Sequence, residues 1–511
     1  MAARSIIDGS VAVETLAFDV DCVIVGTGAG GAVAGKELAE LGYSVLFLEE
    51  GRHHPSSTHR DTPVDAVKRM YRNQGMTLAV GDPFFTIPMG CGVGGTTLIN
   101  SGTALRPADA VLQRWQSEFG LEGVSPDQLA VHYDAVERVL GVAPARDDVM
   151  SFGNKKVAEI FRANTLEATP LPRNAPQCAG CGLCCYGCTS GAKQSVEQNY
   201  IPQALALGAS VVTSCRVEKI QTISIDRYLE AHRVVGVLLD ARGQRTQYHV
   251  EVSAKVVILA AGSVHTPVLI KRNQLSRSPH VGKNLTVHPA SKVHAEFEDD
   301  VRGWQGIPQG YYSHALEKQG VLFEGVFIPP DLISAMLPLA TPDVHGFMKN
   351  YRHIVTFGFM IEDSTTGVIA DWPLVGPVVR YQLTQEDANR VRLGTAFLAR
   401  LFLKNGARRV VPMVRSSLHE LKSLNDVEAF EAMPIKPSQL ELAAFHLLGT
   451  ARMAASIEQG VVDEDGLIFG ASNIFVADGS VVPTALGANP QLTIMALARR
   501  LAHHIHGLVS L

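Results

Sequence analysis

The stretch Val20–Gly51, VDCVIVGTGAGGAVAGKELAELGYSVLFLEEG, constrains this chain more than any other. Cys22–Val25 is a short apolar run, the pattern of a strand buried in a parallel sheet. Gly26–Gly31 follows as a glycine-rich turn. Ala32–Leu41 then has helical spacing and strong helix formers, with Gly42 as its stop. Val45–Leu48 is a second apolar strand, and it ends in Glu49. Strand, turn, helix and strand make one βαβ unit. Gly26, Gly28 and Gly31 fit Gly-x-Gly-x-x-Gly. The first glycine permits a tight turn, the second lets backbone approach a pyrophosphate, and the third lets the helix pack on the sheet. The helix start offers free N–H groups and partial positive charge to phosphates. Glu49 stands where an acid can accept hydrogen bonds from ribose hydroxyls. The unit predicts a dinucleotide site and does not separate NAD from FAD.

A second glycine cluster, Gly90–Asn100 (GCGVGGTTLIN), lies in an irregular stretch and reads as a ligand-facing loop. Pro107–Val142 has helical periodicity. Val211–Ile220 and Val234–Leu239 read as strands of a small antiparallel piece, and Val256–Ala260 as a buried strand running into Ala261-Gly262-Ser263. His294–Val379 is rich in aromatic and β-branched residues with frequent turn signals, which predicts a mostly antiparallel sheet. Gln385–Lys404 returns to a helical pattern. Ile474–Ala477 is a strand, and Pro490–His504 a helix with proline in its first turn.

With 46% apolar residues in 511, most of the chain is globular rather than disordered. A net charge of −5 gives no electrostatic case for nucleic acid. No apolar stretch approaches the ~20 residues needed to span a bilayer, so no transmembrane segment is expected. The first residues lack the layout of a secretory signal, so the expected location is cytoplasmic, with export by a signal-bearing partner left open. Gly-x-Ser-x-Gly, Walker-type and His-Glu-x-x-His motifs are missing from the sequence. His503, His504 and His506 read as a solvated helix end.

Five of the eight cysteines fall in one loop, CAGCGLCCYGC. Cys178, Cys181, Cys184 and Cys188 have the C-x₂-C-x₂-C-x₃-C spacing of iron–sulfur ligands, with Thr189 in place of the usual proline. In two-cluster ferredoxins the fourth cysteine serves the other cluster, so a single cluster here would use three of these with Cys215, Cys185 or no fourth cysteine. Structural zinc, a disulfide and plain buried thiols are the competing readings.

Several segments together resemble one family. VIVGTGAGGAVAGKELAELGYSVLFLEEG is similar to the FAD site of glucose-methanol-choline (GMC) oxidoreductases, and GVGGTTLINSGTALRP to that family's first signature. AAGSVHTPVLIKRN resembles the second signature, cut short after Asn273, and VGKNLTVHP the short motif that follows it. FHLLGTARM and NIFVADGSVVPTALGANPQLTIMALA resemble the C-terminal block. The His/Asn pair there is similar to the cholesterol-oxidase-like and bacterial dehydrogenase branches.

The resemblance implies an α/β fold: a Rossmann-like FAD/NAD(P)-binding domain with a second α+β substrate domain built on a mostly antiparallel sheet. The expected division is a discontinuous FAD-binding domain (15–110, 200–293 and 436–511), a helical and cysteine-rich insert (111–199) and a substrate domain (294–435). Gly26, Gly28, Gly31 and Glu49 would bind the ADP half of FAD, with Val217 by the adenine. Gly94, Gly95, Thr96 and Asn100 would line the flavin. Asp478 and Gly479 would approach the ribityl and pyrophosphate region, and Gly262 would be a further cofactor-binding residue. The helix start at Gln491 would face the flavin N1/C2 carbonyl edge, where its partial positive charge favours the reduced anion.

The implied activity is oxidation of an alcohol CH–OH group, with a hydrophobic or alicyclic substrate favoured. Hydride would go to flavin N5, His446 would act as base, and Asn489 would donate an N–H to the substrate oxygen. Asn489 has a rival role as cap of the helix that begins at Pro490. Similar cysteine loops in some relatives imply an iron–sulfur cluster as electron exit, with a protein acceptor or small partner subunit. An oxidase using O₂, a lyase or photoenzyme on the same scaffold, and a non-catalytic electron carrier are the alternatives.

Overall fold

The structure is a computed structural model that describes residues 5–56, 62–325, 333–334, 336–364 and 367–508. Its largest sheet has eight strands. Seven run in the order Ile6–Asp8, Ser210–Thr213, Val45–Leu48, Leu16–Val25, Arg245–Leu259, Tyr228–Leu239 and Cys215–Ile225. The strands Val45–Leu48 and Ser210–Thr213 are buried along their whole length, as a parallel core covered on both faces requires. Arg245–Leu259 changes partners along its length. Its first part runs antiparallel to Tyr228–Leu239, and its last three residues pair in parallel with Ile474–Val476.

The register decides where a ligand can sit. Val25 lies opposite Leu48 and Leu259, and Leu259 opposite Val476. The next residues, Gly26, Glu49, Ala260 and Ala477, therefore emerge side by side at the carboxyl edge of the sheet. That edge is where open α/β sheets bind ligands.

Helix Ala29–Glu40 packs between the sheet and the C-terminal helix Gln491–Leu508. The close approach requires a glycine at position 35, where a Cβ would meet the Phe47 ring at 2.2 Å. A Gly35→Leu chain is expected to be less stable by about 1–3 kcal/mol, the usual range for overpacking. A lowered denaturant midpoint measures this.

A second sheet of six strands runs Arg409–Pro412, Ala290–Glu296, Ile354–Ile361, Val321–Glu324, Tyr311–Leu316, Thr169–Pro170. All its pairs are antiparallel. Helices Gln385–Lys404 and Phe152–Ala163 cover it over a core that includes Phe161, Phe323, Phe357 and Phe402. The predicted helix Gln385–Lys404 and strand Val45–Leu48 have the expected ends. Among the described residues no helix is long and apolar enough to cross a membrane.

Three expectations differ from the structure. Pro107–Val142 is two helices, Asp109–Phe119 and Pro126–Leu140, because Gly120 turns left-handed (φ 68°) and Ser125 caps the second through a capping box. The segment Val211–Ile220 is divided at Ser214 (φ 51°), so Ser210–Thr213 joins the parallel sheet and the long hairpin starts at Cys215. His294–Val379 also contains helix Thr341–Lys349 and sends Val368–Trp372 and Gly376–Gln382 into a separate four-stranded sheet. Residues 326–332, 335 and 365–366 of this stretch lie outside the described residues.

Candidate active site

Gly26 takes φ 105°, and a Cβ there would lie 2.3 Å from the Ala260 carbonyl oxygen. At Gly31 a Cβ would lie 2.3 Å from the Gly26 carbonyl, so this glycine packs the helix against its own turn. Gly28 is different: a Cβ there would meet nothing within 4 Å, which leaves the helix start open to a ligand. Sequence reasoning missed Gly30, whose Cβ would lie 1.9 Å from the Ala477 carbonyl. That contact locks the turn to the strand Ile474–Val476.

Glu49 is buried, and its Oε2 accepts from the Thr27 N–H (3.0 Å) and the Thr27 hydroxyl (2.6 Å). Its Oε1 accepts from the Gly51 N–H at 2.9 Å. Three bonds leave a carboxylate with about one further lone-pair position, enough for a ribose hydroxyl. Glu49 thus braces the turn as well as facing the edge. Val217 is buried on Cys215–Ile225, next to a bulge between Val217 and Lys219.

The second glycine cluster folds onto the first. A Cβ on Gly95 would lie 2.9 Å from Gly28 Cα, and the Gly94 N–H donates to the Thr27 hydroxyl at 3.1 Å. Gly95–Leu98 forms one 3₁₀ turn, and the Thr96 hydroxyl accepts from the Gly90 N–H at 3.1 Å. Asn100 Nδ2 donates to Gln491 Oε1, joining this loop to the C-terminal helix. Asp478 is buried and accepts from the Gly262 N–H (2.8 Å), the Thr266 hydroxyl (2.5 Å) and the Ser480 N–H (2.8 Å). It ties the starts of two helical turns together. A Cβ on Gly479 would lie 2.9 Å from the Leu447 carbonyl, so Gly479 lets the chain beside His446 approach.

The apolar stretch before His446 offers a helical reading in the sequence, but no helix directly precedes His446 in the structure. Bridges from Ala443 to Ala290 and from Leu448 to Thr286 hold its segment extended. Forty-three positions downstream in the chain, Asn489 returns beside it: Asn489 Nδ2 is 3.4 Å from His446 Nε2. The rival capping role of Asn489 is not made, since its Oδ1 is buried with no hydrogen-bond partner. Burial lowers the His446 imidazole to about 4, so it is neutral at pH 7.

Two neighbours escaped sequence reasoning. His288 Nδ1 lies 3.2 Å from His446 Nδ1, with the rings edge to face. The His288 backbone is left-handed (φ 48°) and is clamped by Asp363, which accepts from the N–H groups of Val287 and His288 at 3.1 Å. Glu324 is buried and accepts from the Thr103 hydroxyl (3.1 Å), Gln309 Nε2 (2.6 Å) and the Asn489 amide. Burial lifts its carboxyl to about 7, against the bonds from Thr103 and Asn489. Glu324 had one signal in the sequence, a lone acid inside the apolar run VLFEGVF.

The site fits a flavin dinucleotide. Asn100 Oδ1, Asn489 Oδ1 and Gln491 Nε2 are buried polar atoms without partners, and Gly28 and Gly262 present bare backbone with open space where a Cβ would stand.

The cysteine loop lies against two buried cations, Arg173 and Lys193. All eight cysteines are free thiols. The Arg173 guanidinium lies 3.2 Å from Cys184 Sγ and 3.8 Å from Cys178 Sγ, and Cys181 is exposed. Burial alone would raise the Cys188 thiol, but hydrogen bonds from Ser190 and the Lys193 N–H draw it down. Among the described residues, no three His, Cys, Asp or Glu side chains are placed to hold a metal ion. Of the expected ligand set Cys178, Cys181, Cys184 and Cys188, two sulfurs, those of Cys178 and Cys184, lie against the Arg173 guanidinium. Lys193 is the other buried cation here, and its ammonium donates to the carbonyls of Leu98 (2.9 Å), Asn100 (2.7 Å) and Cys184 (3.0 Å).

Comparison with known proteins places this site in context. Family models described as GMC oxidoreductase match residues 67–290 and 371–498. An uncharacterised GMC-type oxidoreductase of Mycobacterium tuberculosis is 38% identical over 488 residues, covering 94% of this chain and 75% of the relative. A long-chain-alcohol oxidase of Arabidopsis thaliana is 27% identical over 503 residues, covering 94% of this chain and 66% of the relative. Among solved structures, pyridoxine 4-oxidase of Mesorhizobium loti superimposes with a TM-score of 0.72 at 16% identity, covering 95% of this chain and 99% of that one. A formate oxidase variant of Aspergillus oryzae gives 0.72 at 17%, covering 97% and 99%. These structural likenesses establish the fold: a Rossmann-like FAD-binding part with a substrate part.

Proposed function

The chain belongs to the GMC oxidoreductase family, and from that premise we propose that it is an FAD-dependent enzyme oxidising the CH–OH group of a hydrophobic alcohol. One observation carries the reading: His446 Nε2 and Asn489 Nδ2 stand 3.4 Å apart, close enough to face a single substrate oxygen. Gly26, Gly28, Gly31 and Glu49 would hold the ADP half of FAD. Gly94, Gly95, Thr96, Asn100 and Gln491 would hold the flavin, and Gly262, Asp478 and Gly479 the linking region. Bound FAD would supply the oxidant that accepts the carbinol hydride.

The protein's own task is to seat the oxygen and manage its proton. Leu105, Leu322, Met360 and Ala488 form a buried apolar cluster next to Asn489 and Glu324 in the chain, which suits an apolar substrate body. The Arabidopsis relative's name, a long-chain-alcohol oxidase, points the same way. Anaerobic bleaching of the flavin by a panel of sterols, terpenols, sugars and fatty alcohols tests the reading. Bleaching by an apolar alcohol is expected, and a flavin that no alcohol bleaches sinks it.

The Arg173 guanidinium against Cys178 and Cys184 weighs against a one-electron exit through a cluster. An oxidase is therefore the preferred form, and a dehydrogenase serving a protein acceptor the rival. Turnover in air is expected to release hydrogen peroxide in proportion to alcohol consumed. Anaerobically purified protein is expected to carry far less than one iron per chain. Stoichiometric iron with acid-labile sulfide would restore the cluster.

A further inference from the structure

Lys292 is 8% exposed and lies in the middle of the second sheet, on the strand Ala290–Glu296. Side chains alternate between the two faces of a strand. Val293 and Ala295 enter the core beneath helix Gln385–Lys404, so Ala290, Lys292 and His294 point to the opposite face. On Val321–Glu324 and Ile354–Ile361 the same alternation puts Val321, Phe323, Phe357 and Phe359 in that core, and Leu322, Glu324 and Met360 on the face that carries Lys292.

The register sets Lys292 and Glu324 in one row. Lys292 lies opposite Gly358, and Gly358 lies opposite Glu324. Two strand spacings separate the two backbones, roughly 10 Å. Gly358 puts no side chain between them. In the next row Leu322, Met360 and Ala290 form an apolar floor. Glu324 holds the Asn489 amide, and Asn489 stands beside His446. Lys292 therefore shares a sheet face with the reacting groups, at a separation that suits the far end of a substrate rather than its hydroxyl.

The Lys292 charge is unclaimed. Among the described residues its ammonium has no hydrogen-bond or ion-pair partner. The bridge between Ala290 and Ala443 brings Glu441 alongside, but that carboxylate pairs with Arg415. His294, next along the face, is also buried. Its Nδ1 meets the Thr356 hydroxyl at 2.8 Å, and its Nε2 has no partner. Burial lowers the Lys292 ammonium to about 8, with Glu441 drawing it up, so it is cationic at pH 7. An unpaired buried ammonium costs stability that a bound anion would return.

We propose that Lys292 binds a carboxylate on the substrate, so that the alcohol this enzyme takes is a hydroxy acid, with the reacting hydroxyl at one end of an apolar body and the anionic group at the other. This rests on the proposed alcohol oxidation and narrows its substrate class. The floor of Leu322, Met360 and Ala290 takes the body. The ammonium takes the carboxylate in a charge-assisted hydrogen bond. An uncharged alcohol of the same length leaves the ammonium unpaired, and that difference is the source of selectivity.

The first test needs no turnover. FAD-loaded enzyme is titrated by calorimetry with dodecanoate, which has the carboxylate but no hydroxyl. The wild-type protein is expected to bind it, and Lys292→Met to bind it at least ~10-fold more weakly, the scale of one hydrogen bond to a charged group. Lys292→Arg keeps the cation and is expected to recover most of that loss. The second test needs no variant, and so covers the case in which Lys292→Met fails to fold. It compares ω-hydroxydodecanoate with its methyl ester, which has the same body without the charge. kcat/KM is expected to be at least ~10-fold higher for the acid. Dodecanoate binding unmoved in Lys292→Met, or an acid turned over no better than its ester, overturns the proposal. A lowered denaturant midpoint in Lys292→Met with unmoved dodecanoate binding also overturns it, since Lys292 is then a counter-charge to Glu441. Failure of the functional reading looks different: no alcohol bleaches the flavin, while dodecanoate binding still depends on Lys292.

Discussion

Replacing His446 with alanine is expected to slow anaerobic flavin reduction by ~10²–10³-fold, within the usual range for losing a side chain that handles the reacting proton. FAD occupancy should not change, because no hydrogen bond of the nucleotide cradle involves the His446 side chain. The ring's described partners are His288 and Asn489. Stopped-flow absorbance at a saturating alcohol concentration measures the effect. The loss should appear in the limiting rate more than in apparent affinity, since the ring's contact with the substrate oxygen matters most in the transition state. A His446→Ala protein that reduces its flavin at the wild-type rate would remove His446 from the reaction. It would leave the chain as an electron carrier on an inherited scaffold.

Gly28→Val should have an equally large effect on a different quantity. No atom of the folded chain lies within 4 Å of a Cβ at position 28, so the apoprotein should fold normally. The new side chain would occupy the approach to the helix start, where N–H groups must reach a pyrophosphate. FAD occupancy on purification is expected to fall at least about tenfold, or 1.4 kcal/mol in binding free energy. The ratio of flavin to protein absorbance reads it directly. Gly30→Val is the contrasting variant. Its side chain would collide with the Ala477 carbonyl, so it should damage folding itself. If Gly28→Val retains full occupancy, the cradle has been misplaced.

The nucleotide cradle was legible because its signals are local. Gly26, Gly28 and Gly31 lie within one turn of the chain, and their spacing reports directly on a strand entering a helix. Glu49 was legible in position but only partly in role. Its bonds to Thr27 cross 22 residues, and no spacing rule shows that a carboxylate expected to face a ribose also braces the turn. His446 and Asn489 were found through the resemblance, because nothing between them in the sequence announces that they meet. His288 and Glu324 come from other segments, on opposite sides of His446 and Asn489. Only the strand register and the Asp363 clamp bring them in. The cysteine loop taught the reverse lesson. Its ligand-like spacing is plain in the sequence, yet the path of the loop depends on Arg173 and Lys193, which that spacing does not include.

Lys193 acts as a rivet between two segments that differ in function. One ammonium grips carbonyls on both sides of Ile99 and a third in the cysteine turn. Thiol chemistry that shifts the Cys184 backbone would tug on Asn100, one of the residues assigned to the flavin. Oxidative damage in the cysteine turn would then register as a change in the flavin's colour or potential. Thiol-modifying reagents should therefore be used on this protein with the flavin spectrum as a running control.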